Sequence, residues 1–125
     1  MGLFSSNKEP KNVFPWIELT SMDQLNLAFE NSEERPILLF KHSTRCSISS
    51  MAKTRFQNNW HVDISHCDLY YLDLIAYRAI SDQIEKITGV QHQSPQAILI
   101  KNKEVLYEDS HSSINALDIE KIMNA

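Results

Sequence analysis

Glycine is almost missing from this chain. Gly2 and Gly89 are the only two in 125 residues. That excludes a glycine-rich phosphate cradle of either the Walker or the dinucleotide-binding kind. Cysteine is scarce too: Cys46 and Cys67 cannot make a disulfide scaffold. No apolar run approaches the roughly 20 residues of a membrane-spanning helix. Basic excess is also lacking, since 12 Lys and Arg stand against 16 Asp and Glu for a net charge of −4. A dedicated nucleic-acid surface is therefore not expected. What is present is ordinary: 42% hydrophobic residues, enough for one buried core without staples.

The first residues are polar and punctuated by Pro10 and Pro15. Residues 1–15 are expected to form a flexible N-terminal arm, and residues 16–125 a single domain. Met1-Gly2-Leu3-Phe4-Ser5-Ser6 formally fits an N-acylation pattern, but a plain leader is the preferred reading. No secretory hydrophobic stretch follows, so a reducing cytoplasmic location is the default expectation.

Hydrophobic spacing then lays out the elements. Trp16–Leu19 reads as a short strand. Met22, Leu25, Ala28 and Phe29 recur at helical spacing behind a cap at Thr20 or Ser21, so a helix is expected to about Asn31. Ile37–Phe40 is continuously apolar, as in a strand covered on both faces. A polar loop, His42–Arg45, precedes a helix from about Cys46 to Trp60. Leu69–Leu74 is a strand, and Ile80, Ile84 and Ile87 mark a helix that Gly89 stops. Ala97–Ile100 and Glu104–Tyr107 form a hairpin about Lys101-Asn102-Lys103. Ser112 or Ser113 is expected to cap a last helix carrying Ile114, Leu117, Ile119 and Ile122. The order β-α-β-α-β-α-β-β-α implies an α/β fold with a mixed sheet flanked by helices.

Cys46 carries the chemistry. It follows a central strand and opens a helix, where unpaired N–H groups and the helix dipole favour a thiolate. A thiolate is the nucleophile of disulfide exchange. An inert buried cysteine is the alternative, but Ser43, Thr44, Arg45, Ser47 and Ser49 surround this one with polar groups. Ser94-Pro95, just before an apolar strand, is the second signal.

Together these features resemble the thioredoxin-like fold over about residues 16–124. Cys46-Ser47-Ile48-Ser49 stands where thioredoxins carry Cys-x-x-Cys, so the site is monothiol. Lys41-His42-Ser43-Thr44-Arg45-Cys46-Ser47-Ile48-Ser49 is similar to the active-site stretch of the YtxJ-like monothiol bacilliredoxins, a bacterial family. His92-Gln93-Ser94-Pro95-Gln96 is similar to that family's cis-proline stretch. Ser47 departs from the family's proline.

The resemblance implies an oxidoreductase that removes bacillithiol, or a similar low-molecular-weight thiol, from S-thiolated cytosolic proteins. Cys46 is then the nucleophile. Thr44, Arg45, Ser47 and Ser49 are expected to stabilise its thiolate, although Arg45 reads equally well as a solvated loop charge. His42, Ser94 and Pro95 are expected on the substrate side, with packing over the helix the alternative for His42. The small thiol is a co-substrate; no bound cofactor, nucleic acid, membrane or second subunit is expected. Dithiol thioredoxins bury an Asp six residues before the nucleophile. Here that position is Phe40, and a monothiol site needs no base for a resolving cysteine.

Two rival classes remain. Monothiol glutaredoxins carry iron–sulfur clusters on Cys-Gly-Phe-Ser, but Ser47-Ile48 replaces Gly-Phe and the terminal Gly-Gly motif is missing. A thioredoxin-fold module that docks partners without turnover is the other. Cys67 is expected at the sheet end opposite Cys46, as a structural residue. His61, His66 and Cys67 fit no common zinc spacing. His111, Ser112 and Ser113 could hold a carboxylate at the last helix, though simple capping is the preferred reading. Tyr70, Tyr71 and Trp60 read as core or edge residues, not as base-stacking platforms.

Overall fold

A computed structural model describes residues 14–124. Residues 1–13 of the expected 1–15 arm, and the acylation pattern within them, lie outside the described residues. Phe14 already packs against the core, its ring 5.0 Å from that of Trp16.

Among the described residues five strands form one sheet: β1 (Ile17–Glu18), β2 (Ile37–His42), β3 (Asp68–Asp73), β4 (Gln96–Lys101) and β5 (Glu104–Ser110). Four α-helices among the same residues accompany them: α1 (Met22–Asn31), α2 (Ser47–Asn59), α3 (Arg78–Thr88) and α4 (Ala116–Met123). The spatial order is β1-β3-β2-β4-β5. β1, β3 and β2 run parallel, while β4 and β5 are antiparallel additions. The element order is the one expected from the sequence; most ends shift by one or two residues, while β5 runs three residues past Tyr107 and α4 starts later than expected, at Ala116.

β2 is central, and all six of its residues are buried. Its alternation divides the core. Ile37 and Leu39 pack with Leu25 and Ala28 of α1 and Ile80 and Ile84 of α3. Leu38 and Phe40 pack with Phe56 of α2 and Ile119 of α4. Successive side chains of a strand point to opposite faces, so a sheet covered on both sides needs an apolar residue at nearly every position. Lys41 and His42 are the exceptions, both buried at the active-site end of the strand.

Local chemistry sets the element ends. Ser21 caps α1, its Oγ accepting from the Gln24 N–H at 3.1 Å, while Gln24 Oε1 accepts from the Thr20 N–H at 2.8 Å. Gly89 closes α3 with φ +74°, a left-handed conformation that a side chain would strain. The β4–β5 hairpin turns on Asn102 and Lys103, both at positive φ, as a two-residue hairpin requires. Ser32 holds that turn, its carbonyl accepting from the Asn102 N–H at 2.7 Å and its Oγ from the Lys103 N–H at 2.9 Å.

One expected cap is corrected. Neither Ser112 nor Ser113 caps the last helix. His111–Ser113 forms a separate 3-10 turn, and α4 starts at Ala116 behind Asn115. Asn115 Oδ1 accepts from the N–H groups of Leu117 and Asp118 at 2.9 and 3.2 Å. The 3-10 turn consumes the serines because His111 takes φ +57° and breaks the helical course there.

Candidate active site

β2 ends at His42, and the turn that follows is closed by the Cys46 N–H donating to the Ser43 carbonyl at 3.1 Å. Cys46 is the N-cap of α2, with φ −112° and ψ 120°. Its carbonyl accepts the first helical bond from the Ser50 N–H at 3.2 Å. No side chain caps this helix. The N–H groups of its first turn are thus left for whatever sits at Cys46, and a half-buried thiolate there is the natural acceptor.

Around the thiol, Thr44, Arg45 and Ser47 are exposed. Ser49 is buried, and its Oγ accepts from the Ser43 N–H at 3.4 Å. That bond ties the loop to the helix. Of the four residues expected to stabilise the thiolate, Ser49 therefore has a structural task as well. Residues 36–62 contain no Asp or Glu and carry Lys41, Arg45, Lys53 and Arg55. The helix that opens at Cys46 is cationic in a chain of net negative charge.

His42 is 4% exposed. Its ring centroid lies 5.5 Å from that of Tyr71, and its Nδ1 is buried without a partner. Burial, assisted by the nearby Lys53 ammonium, holds its pKa below the ordinary histidine value. His42 therefore packs behind the site and has little surface to offer a substrate. Lys53 spans the same region, with Nζ 4.3 Å from the Tyr71 ring centroid.

Ser94–Pro95 is a cis peptide bond. It leads directly into β4, whose first residue, Gln96, pairs with Lys41 of β2. The register brings Ser94 and Pro95 to the end of β2 from which the Cys46 loop departs. Ser94 Oγ is buried and has no partner.

The other candidates lie elsewhere. Cys67 is buried beside Asp68, the residue paired with Ile37 at the far end of β2. Burial pushes its thiol up to about 12, with the Asp68 carboxylate adding to the effect. Tyr70 and Trp60 are core residues. Among the described residues no three His, Cys, Asp or Glu side chains converge as a metal site. His111 and Ser112 face α2 across a hollow of about 150 Å³ that Ile48, Met51, Ala52 and Arg55 complete.

Two comparisons decide what kind of site this is. The family model described as monothiol bacilliredoxin BrxC matches residues 17–119. The chain belongs to the monothiol bacilliredoxin family. A solved structure whose description reads "a putative oxidoreductase with a thioredoxin fold" is 32% identical, with TM-score 0.72, over 86% of this chain and 93% of that one. More distant structures share the fold. Thioredoxin from Malassezia sympodialis is 14% identical (TM-score 0.64, covering 90% of this chain and 94% of that one). Thioredoxin NaTrxh from Nicotiana alata is 18% identical (TM-score 0.64, covering 94% of each chain). This bacilliredoxin is a redox enzyme with a thioredoxin-like fold. Among its described residues no helix is long and apolar enough to cross a membrane.

Sequence reasoning gave no role to Lys41, Ser81 or His92. The signal was a lysine at the fifth position of an otherwise apolar strand, Ile37-Leu38-Leu39-Phe40-Lys41.

Proposed function

We propose that this bacilliredoxin removes bacillithiol, or a similar low-molecular-weight thiol, from S-thiolated proteins in the cytoplasm, working as a monomer with no resident cofactor. The observation that carries the reading is the half-buried Cys46 at the uncapped start of α2, in a chain of the monothiol family.

The Cys46 thiolate attacks the small-thiol sulfur of the mixed disulfide. The sulfur–sulfur bond of the mixed disulfide breaks, and the target cysteine leaves as a thiolate and takes up a proton. Cys46 is left joined to the small thiol. A second small thiol, as its thiolate, attacks that sulfur, releases the symmetrical small disulfide and restores the Cys46 thiolate. Over the cycle the target returns to its thiol, one free small thiol is oxidised, and the number of disulfide bonds is unchanged. Arg45 and the acid-free α2 favour an anionic co-substrate, and the backbone of Ser94 offers the target strand a pairing edge beside Pro95.

The test is intact mass after exposure to oxidised bacillithiol and, separately, oxidised glutathione, for the wild type and Cys46→Ser. An adduct that requires Cys46 and clears with reduced bacillithiol supports the reading. A glutathione adduct alone keeps the chemistry and changes the co-substrate. No adduct with either, on reduced and folded protein, overturns it in favour of a docking module.

A further inference from the structure

A buried polar cluster on the α3 side of the sheet has no part in the exchange chemistry. Lys41 is 0% exposed. An ammonium buried there carries a desolvation cost that an apolar side chain of the same size avoids. Its Nζ lies 3.2 Å from His92 Nδ1. Ser81 Oγ of α3 lies 3.1 Å from the same nitrogen.

His92 stands in the segment between Gly89 and β4 that ends in Ser94–Pro95. Gln96, the cross-strand partner of Lys41, holds that segment a second time. Its Nε2 donates to the Gln91 carbonyl at 2.9 Å, and its Oε1 accepts from the Gln93 N–H at 3.4 Å. Two buried side chains, paired across β2 and β4, thus grip the loop that precedes the cis-proline.

We propose that Lys41 is a positioning residue: by donating to His92 Nδ1 it holds the Gln91–Pro95 loop in the conformation that receives the polypeptide half of a mixed disulfide. The assignment rests on the mixed-disulfide reduction proposed above. It makes Lys41 a determinant of protein substrates, acting through the loop and not on the thiol.

The proton inventory gives the clamp a signature. An ammonium can only donate, so His92 Nδ1 must accept, and the ring carries its proton on Nε2. A neutral Lys41 can accept instead, which frees Nδ1 to carry the proton. Arg78, Asp82 and Glu85 of α3 face the pair, alongside Gln96 of β4. Burial brings Lys41 down to about 8, against the opposing pull of Glu85 and Asp82. Burial, Lys41 and Arg78 keep His92 below its ordinary value.

The first test needs no turnover. Nitrogen NMR of the His92 ring in the reduced full chain is followed from pH 6.5 to 9.5. The Nε2–H form is expected near neutral pH, with a change centred near 8. Lys41→Met is expected to abolish that change, and Lys41→Arg to hold the Nε2–H form throughout. A wild-type ring that does not respond, or a Lys41→Met ring that responds unchanged, overturns the clamp. The second test is turnover of a cysteine peptide carrying disulfide-linked bacillithiol. Lys41→Met is expected to raise KM about tenfold, the scale of a lost charge-assisted hydrogen bond, with kcat within about twofold. Lys41→Arg is expected to recover most of the KM. A fall in kcat with KM unchanged assigns Lys41 another role and overturns the proposal. Failure of the bacillithiol reading would show as no Cys46 adduct, and the ring titration is independent of that result.

Discussion

Cys46 and Cys67 lie at opposite ends of the parallel pair β2–β3. Cys46 follows the His42–Asp73 end, and Cys67 immediately precedes the Ile37–Asp68 end. Six strand residues span on the order of 17 Å, against the ~7 Å limit between Cα atoms of a disulfide. The two thiols are therefore expected to act independently. A maleimide at pH 8 should label Cys46 alone in the folded protein and both cysteines in denaturant. Cys67→Ala should keep full exchange activity. A monomeric Cys46–Cys67 disulfide after mild oxidation would contradict this arrangement.

Cys67 also predicts a loss of stability at high pH. Burial raises its folded pKa to about 12, above the ordinary thiol value of 9.0. The unfolded chain therefore releases this proton first. The stabilising contribution is complete below pH 9 and is lost as pH rises toward 12. The slope is about 1.4 kcal/mol per pH unit for one proton. Denaturant unfolding across that range should show the slope in the wild type and a shallower one in Cys67→Ala.

Lys41 acts in the opposite sense. Its folded pKa is lowered from 10.5 to about 8 by burial, so the unfolded chain holds the proton more tightly. Its contribution is fully present above pH 10.5 and is lost as pH falls through 8. At pH 7 the buried ammonium is a net cost. Lys41→Met is expected to be more stable than the wild type at pH 7, by roughly 1–3 kcal/mol, although its KM for a protein substrate is worse. A lower midpoint in urea at pH 7 would show that the His92 contact outweighs desolvation.

Ser47 occupies the first position of α2, where the resemblance noted in the sequence leads one to expect proline. Cys46 has φ −112° and ψ 120°, the conformation favoured before a proline. The first helical turn forms without proline, since the Ser50 N–H reaches the Cys46 carbonyl. Ser47→Pro should therefore fit with no backbone movement and stabilise the protein by about 0.4–1 kcal/mol through the unfolded chain. Thermal unfolding of the variant measures it, and a lower midpoint would contradict the fit.

Asn115 is the cap of α4. Asn115→Ala should cost about 1 kcal/mol, as it removes the acceptor of two N–H groups. Ser112→Ala and Ser113→Ala should leave chemical denaturation within about 0.5 kcal/mol of the wild type.

The sequence by itself determined the sheet and the place of Cys46 at a helix start. Ile37–Phe40 could only be a strand covered on both faces, because four consecutive apolar residues leave no polar face for solvent. Ser21, Gly89 and the Asn102-Lys103 turn were legible because caps and turns depend on neighbours in sequence. Cys46 was legible for the same reason: strand, loop and helix start are local. The last cap was misplaced because Ser112, Ser113 and Asn115 are all cap-forming residue types, and the positive φ of His111 decides among them. Tertiary structure alone decided the depth of His42, the second task of Ser49 and the Lys41–His92–Ser81 cluster. Those residues are up to 51 positions apart, and only the pairing of β2 with β4 and the packing of α3 bring them together. A charge inside an apolar strand signals that a partner is needed, but the partner is named by the fold, since burial and distance are properties of the packed sheet.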